Sequence, residues 1–530
     1  MFVACGLFIA LGVLLIPHAG IQTDEALFSA PLYPSTHQDL AARLRRFEIP
    51  FMVMTYLGSL KSFLYWPILS IFGANVWSIR LPVVLLGAAT IFVFYRLVLS
   101  SLGRAPALLA AFLLATDPIF LVTNTFDWGP VALEHFLLVT GCWSLYQFGT
   151  QLDTRGPFWR GRQRFLLLGS FAWGLALWNK AIFAWALSGL VAGGVLVFWR
   201  WIWREATIRN AGLASAAFLV GASPLVLYNL RHGMTTYGQN AHLDVASIPG
   251  KWIQLRSAAD GQSLFGYLVR EESSTPKKAP QDAVGRMSVW LRERLGAHYR
   301  SGFYYVLGGL LLLFPWWMRS RAAWFSLIFC AVAWLSMAST LDAGGAAHHV
   351  VLLWPFPVLF AVAVLAAIRW RPVLLLAGIG LVGMNLVVVN QYLAQLQQFG
   401  AADAFTDAIF PLSDSLGSLP GKTYYLTDWG IVDSVNLLQR GRLTLRLATG
   451  PLVPETPSDA ERQELDRMMK DPDGVFVGHV AGKEAFQDVG KHLDQQAEAA
   501  GLRRDMLQTV TDSSGHPMFE VFRLAPKVAP

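Results

Sequence analysis

The sequence predicts a mainly α-helical, polytopic transmembrane bundle followed by a small α/β domain. The composition is the first observation. Of the 530 residues 54% are hydrophobic and 15% charged, and the mean hydropathy is +0.43, whereas soluble domains carry about a quarter charged residues. Second, apolar runs long enough to cross about 30 Å of hydrocarbon recur as far as residue 393 and then stop. Third, short strand-like and helical patterns alternate after that point. We therefore predict a transmembrane domain at 1–393 and a soluble domain at 394–530.

About eleven apolar windows are predicted to cross the membrane as helices. We interpret the first, Phe2 to Ile16, as a retained helix; the core of a signal peptide is the alternative, but no charged region precedes it. Two long segments between windows, 18–75 and 230–301, are the predicted outer loops. The windows lie at 2–17, 76–99, 105–123, 131–149, 165–179, 181–200, 211–229, 302–318, 323–341, 349–368 and 373–393.

The loops and the tail carry patterns of their own. Leu40 to Phe47 is charged and predicted to be helical, and Tyr56 to Phe72 is predicted to lie along the membrane surface. In the tail, alternating β-branched and aromatic residues predict strands. The predicted tail elements are strands at 424–427, 443–446, 475–478 and 519–522, and helices near 458–470 and 483–500.

The basic residues between the windows predict the orientation. Cytoplasmic loops are enriched in Lys and Arg, and the short loops 124–130 and 342–348 contain neither. We therefore place the N-terminus in the cytoplasm, and both long loops and the soluble domain outside. Topology also explains the net charge of +7, so no nucleic-acid partner is predicted. The predicted cytoplasmic cations are Arg104, Arg155, Arg160, Arg162, Arg164, Arg200, Arg204, Arg209, Arg319, Arg321, Arg369 and Arg371.

Carboxylates at the ends of predicted helices are the first candidates for chemistry. Asp24 and Glu25 directly follow the first window, and Asp127 lies in a short loop on the same predicted face. Charged groups at this depth are costly unless they are solvated, paired or used. For the acidic pair, a helix cap built by Thr23 or Asp24 is an equally open interpretation. For Asp127, the position favours a function.

Other ionisable residues lie in or beside the apolar windows. Glu134 and His135 are inside one, where a pair that fixes helix packing is the leading interpretation. His348 and His349 could donate hydrogen bonds to a phosphate. They could also bind a metal ion, but the sequence offers no third ligand at a suitable spacing. The remaining candidates are cations that could meet an anionic head group or simply extend to the interface: Lys61, Arg80 and Lys180.

These candidates follow one another in an ordered series of motifs. In order they are Asp24-Glu25, Leu60–Pro67 with Lys61, Phe72–Leu81 with Arg80, Asp127, Gly174–Lys180 and His349–Pro357. The series resembles the GT-C superfamily of glycosyltransferases, and within it the protein O-mannosyltransferases and the lipid A aminoarabinose transferases. The likeness covers roughly residues 1–200 and 340–370 and is carried by the order of the motifs together.

The resemblance implies a GT-C fold and an inverting glycosyltransferase of a bacterial inner membrane. It implies transfer from a polyprenyl-phosphate-linked sugar donor to a hydroxyl-bearing acceptor, such as an envelope glycan, lipid or protein, on the extracytoplasmic face. A divalent metal ion held by the acidic residues is an open alternative, and no other cofactor is expected. The implied roles are Asp24 as general base; Glu25 and Asp127 as groups that orient hydroxyls; Lys61, Arg80 and His349 at the donor phosphate; and His348, Glu134 and His135 as further substrate contacts.

Two other classes of protein remain open from the residues alone. A flippase or transporter of lipid-linked substrates also has many spans and buried ionisable groups, but transporters usually have two related halves, and none are evident here. A structural or sensory membrane protein, with the acids serving only as helix caps, is the second. Release of the sugar from a labelled polyprenyl-phosphate donor would separate the three.

Overall fold

The fold consists of a bundle of long apolar helices and a smaller C-terminal domain that contains a sheet, which confirms the predicted fold class. Arg155, Arg160 and Arg369, three of the predicted cytoplasmic cations, lie outside the described residues. The computed structural model describes residues 1–33, 40–44, 47–151, 161–270, 277–368, 371–419, 422–455 and 457–527.

All eleven predicted windows contain helix. Lipid offers no partner for backbone N–H and C=O groups, so spanning segments must satisfy them internally. Within the described ranges, six helices are long and apolar enough to cross a membrane, or seven if the first helix and the bent segment after it form one span. The number of eleven crossings therefore stays a prediction. The helices of this part are α1 (Phe2–Leu15), α2 (Thr23–Ala26), α3 (Leu60–Phe72), α4 (Val76–Leu102), α5 (Arg104–Thr116), α6 (Pro118–Thr123), α7 (Val131–Thr150), α8 (Gln163–Asn179), α9 (Phe183–Glu205), α10 (Ile208–Arg231), α11 (Thr235–Asn240), α12 (Ile248–Ala259), α13 (Ala283–Leu295), α14 (Phe303–Leu312), α15 (Phe314–Trp317), α16 (Arg321–Ala338), α17 (Ala347–Val350), α18 (Phe356–Ala367) and α19 (Arg371–Phe399).

Three of the predicted windows are broken at a proline. α5 gives way to α6 at Pro118, α14 to α15 at Pro315, and α17 to α18 at Pro355. Proline lacks the N–H that would bond to the carbonyl one turn earlier, so the helix ends there. Asp117 caps α6 and accepts a hydrogen bond from the indole nitrogen of Trp354 at 2.9 Å, which joins two of the breaks.

The segment predicted to be the first outer loop contains a small sheet. Its strands are β1 (Leu40–Leu44), β2 (Phe47–Met54) and β3 (Leu57–Gly58). The strands are antiparallel in the order β1-β2-β3. The helix predicted at Leu40–Phe47 was wrong: a short charged segment is only marginally stable as an isolated helix, whereas pairing with the apolar strand β2 satisfies its backbone groups.

The C-terminal domain is a five-stranded mixed sheet in the order β5-β4-β6-β8-β7. β4 is parallel to β5 and β6, and β8 is antiparallel to β6 and β7. All four predicted strands and both predicted helices are confirmed. β7 was not predicted, because most of its side chains are polar and exposed. The elements are α20 (Ile409–Gly417), β4 (Thr423–Leu426), α21 (Val432–Gln439), β5 (Thr444–Leu447), α22 (Thr449–Leu452), α23 (Asp459–Met469), β6 (Gly474–His479), α24 (Val489–Ala499), β7 (Leu502–Thr511) and β8 (Pro517–Pro526).

The C-terminal domain packs directly on the segment that follows α1. The hydroxyl of Thr23 in α2 donates to the Asp433 carboxylate of α21 at 3.0 Å. Nearby, the Gly20 N–H donates to the carbonyl of Phe405 at 2.7 Å, and Leu437 of α21 joins an apolar cluster with Ile21. The domain therefore helps to hold the acidic pair of α2 in place.

Candidate active site

The acidic pair lies in the first turn of α2, which is bent by 112° from the direction of α1. Gln22, not Thr23 or Asp24, caps this helix: its side-chain oxygen accepts from the Asp24 N–H at 2.6 Å. In return the Glu25 carboxylate accepts from the Gln22 N–H at 3.3 Å. This reciprocal capping box aims the carboxylates of two adjacent residues in different directions.

Glu25 faces Arg80 of α4 in a buried, two-pronged ion pair. Arg80 Nε donates to one carboxylate oxygen at 2.8 Å and Nη2 to the other at 2.7 Å. The three remaining N–H groups of the guanidinium donate to the carbonyls of Ile16, Ala19 and Gly20. All five donors of the arginine are thus used. Arg80 has no donor left for a phosphate, and it clamps the end of α1 to α2 and α4.

Lys61 and Asp127, both predicted site residues, meet in a second buried ion pair. Lys61 Nζ of α3 donates to Asp127 Oδ2 at 2.8 Å and to the carbonyl of Gly129 at 3.0 Å. The other Asp127 oxygen accepts from the Ala132 N–H at 3.1 Å, at the start of α7. The aromatic ring of Phe28 lies 4.6 Å from the ammonium. The pair fixes α3 against α7 and leaves the lysine one donor.

Asp24 and Lys180 are bonded far less completely. The only side-chain hydrogen bond to the Asp24 carboxylate from the described residues comes from Gln22 Nε2 to Oδ2, at 3.4 Å. Lys180, at the end of α8, is 5% exposed, and its ammonium has no hydrogen-bond or ion-pair partner in the described part of the chain. The carboxylates whose charges act on it are those of Asp24, Glu134 and Asp127. A buried charge without a bonded partner is costly, so the buried lysine is open to an anionic ligand, and the half-buried Asp24 carboxylate keeps an oxygen free of described partners.

Glu134 and His135 are adjacent in α7 but face different surroundings. Glu134 accepts from Asn179 Nδ2 at 2.6 Å through one oxygen, and its other oxygen has no partner among the described residues. His135 Nε2 donates to the carbonyl of Val351 at 2.7 Å, and Nδ1 accepts from Asn124 at 3.3 Å. Both histidine nitrogens are therefore used in packing. The expected pair does not form, because Glu134 bonds to Asn179 and not to His135 or an arginine of the described residues. Glu134 stays close to the open lysine.

His348 and His349 pack edge to face in α17, with ring centroids 4.3 Å apart. The Nδ1 atom of His349 is buried without a hydrogen-bond partner in the described ranges. The charge of Lys180 acts on both rings. The structure thus brings the histidines to the same side of the site as the open lysine.

The residues do not fit a metal ion held by Asp24, Glu25 and Asp127. Both oxygens of Glu25 are bonded to Arg80, and Asp127 is bonded to Lys61. Among the described residues, no group of three His, Cys, Asp or Glu side chains is arranged to hold a metal ion.

Tyr267 is a site residue that the sequence did not single out. Its hydroxyl lies 3.4 Å from Gln22 Nε2, and its ring packs 6.2 Å from that of Trp128. Burial and, secondarily, the charge of Asp24 raise the pKa of Tyr267 to about 12, so it stays a neutral donor at pH 7. A cavity of about 760 Å³ opens beside it, between Ile21 and the C-terminal domain. No periodicity marks Tyr267, because it lies in an irregular segment between α12 and α13.

Fold and site together define a multi-pass membrane protein with a buried ionisable site where its first helix ends. A family model described as dolichyl-phosphate-mannose-protein mannosyltransferase matches residues 59–228, roughly a third of the chain. No curated protein sequence matches.

Solved structures of similar fold include ArnT from Cupriavidus metallidurans, bound to undecaprenyl phosphate and in the apo state. In each case the identity is 12%, the TM-score is 0.57, and the match covers 98% of this chain and 96% of ArnT. An oligosaccharyltransferase from Archaeoglobus fulgidus matches at 11% identity and a TM-score of 0.46, over 90% of this chain and 69% of its own. The resemblance to the GT-C superfamily is confirmed: the chain has the fold of its ArnT- and protein-mannosyltransferase-like group. The family model and the fold together support a glycosyltransferase.

Proposed function

We propose that this protein transfers a sugar from a polyprenyl-phosphate carrier to a hydroxyl acceptor at the extracytoplasmic face of a bacterial inner membrane, with its N-terminus in the cytoplasm. The observation that carries the proposal is a pair of oppositely charged groups that the described residues leave open: the carboxylate of Asp24, in α2, with one oxygen that no described residue bonds, and the ammonium of the buried Lys180, at the end of α8, which no described residue bonds. Such a pair offers a proton acceptor and an anion partner in one site. The solved structure of ArnT, which has this fold, holds undecaprenyl phosphate.

Asp24 acts as the general base. The acceptor oxygen attacks the anomeric carbon and passes its proton to the free Asp24 oxygen. The bond from the anomeric carbon to the phosphate oxygen breaks on the opposite face, so the configuration inverts. Polyprenyl phosphate leaves with that electron pair, and Lys180 neutralises the charge that develops on it. The reaction is balanced without a cofactor.

The structure changes three of the roles that the sequence suggested. We move Arg80 from the donor phosphate to the scaffold, because all its donors are used, and Glu25 moves with it. Lys180 takes the place of Arg80 at the phosphate. Lys61 keeps one free donor for the phosphate while it positions Asp127. His349, with its unpaired Nδ1, stays a candidate phosphate contact.

The test is the Asp24→Asn variant in a transfer assay. Undecaprenyl phosphate carrying labelled mannose or aminoarabinose is the donor, and an envelope glycan extract is the acceptor. Asparagine keeps the shape but cannot take the proton, so transfer should fall by about 10²- to 10⁴-fold. Asp505→Asn, which changes an exposed carboxylate of β7, is the matched control and should transfer normally.

Two results would contradict the proposal. One is full transfer activity in Asp24→Asn. The other is movement of the intact labelled carrier across proteoliposomes without release of its sugar, which would identify a flippase instead.

A further inference from the structure

The cavity beside Tyr267 lies between the two parts of the molecule. Ile21, Tyr267 and Arg270 form its wall on the membrane part, and residues of the C-terminal domain, among them Trp429 and His479, form the opposite wall. Its volume of about 760 Å³ is within the ~300–1,000 Å³ typical of small-molecule sites. The candidate active site is adjacent, but the tail supplies most of the lining.

One buried carboxylate organises the tail side of this cavity. Asp428 follows β4 and is 0% exposed. It accepts from His479 Nδ1 at 2.6 Å and from the N–H groups of Trp429, Ala485 and Phe486 at 2.7–2.9 Å. Four lining residues are therefore held by a single anchor. His479 Nε2, on the opposite edge of the ring, makes no hydrogen bond within the described residues and is available to a ligand.

The exposed surface of this wall is aromatic. Trp429 and Phe486 both line the cavity, and each side chain is 38% exposed. Flat aromatic faces beside hydrogen-bonding groups suit ligands that have an apolar face and a polar rim. A pyranose ring is such a ligand, because its axial C–H groups form an apolar face and its hydroxyls form the rim.

Both cations of the cavity wall, Arg270 and Lys483, are paired with carboxylates, and a further lining carboxylate, Glu484, accepts from the Gly490 N–H at 2.9 Å. Arg270 bonds to Asp512 at 3.0 Å and to Asp403 at 3.2 Å, and Lys483 bonds to Asp403 at 2.8 Å. These carboxylates compensate both cations, so the cavity has no strong demand for an anion. A neutral ligand fits this balance better than a phosphate-rich one.

A short polar path leads from the cavity to the proposed base. The hydroxyl of Tyr267, a lining residue, is 3.4 Å from Gln22 Nε2, which in turn is 3.4 Å from Asp24 Oδ2. This chain of contacts connects the wall of the cavity with the proposed base.

We propose that this cavity is an acceptor subsite that binds an uncharged sugar ring of a glycan acceptor, stacked on Trp429 and hydrogen-bonded by His479 Nε2. The inference rests on the proposed function, since it names the class of acceptor for the same reaction. Asp428 is a positioning residue: it acts through the four residues that it holds.

The experiment measures glycan binding and transfer separately, on the full chain in detergent. Binding of maltotriose, cellotriose and mannotriose is followed by saturation-transfer NMR, which needs no catalysis. Trp429→Ala should weaken the binding of the best trisaccharide by roughly tenfold. His479→Asn, whose amide can still donate to Asp428 but lacks Nε2, should weaken it as well. Trp290→Ala, an exposed tryptophan of α13 outside the cavity, is the matched control and should bind like the unchanged protein.

Transfer kinetics then separate this inference from the proposed function. In Trp429→Ala the acceptor KM should rise by a similar factor, while in the control Trp290→Ala it should stay as in the unchanged protein. Binding that depends on Trp429 in a protein without any transfer activity would overturn the proposed function but keep the sugar subsite. Equal trisaccharide binding in Trp429→Ala and the unchanged protein, or saturation transfer to a serine-rich peptide and to none of the sugars, would overturn the subsite.

Discussion

Asp24 and Glu25 are neighbours in one turn of α2, yet their surroundings are opposite. Both oxygens of Glu25 are bonded to Arg80, whose other donors hold three backbone carbonyls. Asp24 receives one long hydrogen bond from Gln22. Buried polar groups in folded proteins are almost always satisfied, so the saturated, buried Glu25 carboxylate has a structural role. The Asp24 carboxylate is only half-buried and stays accessible to a ligand.

The cations of the site divide in the same way. Arg80 joins α1, α2 and α4 through five hydrogen bonds, and its side chain is 0% exposed. The Lys180 side chain is almost as deeply buried, but its ammonium bonds to no described residue. The site thus has two halves. In the closed half, Glu25 and Arg80 are fully bonded, and in the open half, Asp24 and Lys180 are largely unbonded by the described residues. Substitutions in the two halves should have different consequences.

The largest expected effect is on the closed half. Arg80→Met leaves the Glu25 carboxylate buried without a partner and frees three carbonyls, so the free energy of unfolding should fall by about 3–5 kcal/mol. The midpoint of denaturation in a mixed-detergent titration measures this. Arg294→Met, at an exposed position of α13, is the matched control.

A second variant tests the cause of that loss. Arg80→Met combined with Glu25→Leu removes both charges and should recover part of the stability, because a buried ion pair can often be replaced by apolar residues. If Arg80→Met alone unfolds at the same detergent composition as the unchanged protein, the closed half is not a scaffold.

The open half should respond in activity instead. Lys180→Met removes a buried ammonium that bonds to no described residue, so stability should be unchanged or increased. Transfer should fall by about a hundredfold, because the departing phosphate loses its cation. Initial rates with labelled donor and the detergent titration, on the same preparation, measure the two effects.

Lys61→Met is the informative comparison for this prediction. It leaves Asp127 without its bonded cation, so it should lower stability and activity together. A Lys180→Met protein that is as destabilised as Lys61→Met would show that Lys180 has a structural partner, and the distinction between open and closed groups would fail.

Much of the fold was predictable because lipid restricts what a chain can do. The eleven apolar windows became helices, since in hydrocarbon the backbone must bond to itself. The breaks at Pro118, Pro315 and Pro355 were not predicted. Hydropathy averaged over a window does not detect that a proline lacks the backbone N–H that an unbroken helix needs. The segment at Leu40–Phe47 was misjudged because its charged composition favours a helix, whereas the structure pairs it antiparallel with the strand that directly follows, β2.

The site was predictable in its members but not in their bonds. Asp24, Asp127 and Lys61 stood out because charged residues are rare in an apolar sequence. Their rarity does not show which cation has all its hydrogen-bond donors in use. Arg80 and Lys180 exchanged roles for that reason: the choice depends on how helices far apart in sequence pack. Tyr267 and the wall around Trp429 carried no signal, because their importance comes from a cavity between two parts of the chain.

The smallest effect in this series concerns Asp428, a saturated carboxylate in the C-terminal domain. Burial raises its pKa, but hydrogen bonds from His479 and from the N–H groups of Phe486 and Ala485 lower it more, so the pKa lies below its ordinary value. Such a group stabilises the folded domain above the unfolded pKa of about 3.9. The contribution is lost as the pH falls through the lower folded value.

Asp428→Asn should therefore reduce the local stability of the domain at pH 7 by about 1–2 kcal/mol, since its amide cannot accept from all four donors. Amide hydrogen exchange of β4 and β6 in the full chain measures this, with Asp505→Asn as control. In the unchanged protein, protection should decline below about pH 4, and in Asp428→Asn that decline should be smaller because the titrating group is gone. Equal protection in the two proteins at pH 7 would mean that saturation of a buried carboxylate does not mark a structural role, and the contrast between Asp24 and Glu25 would lose its basis.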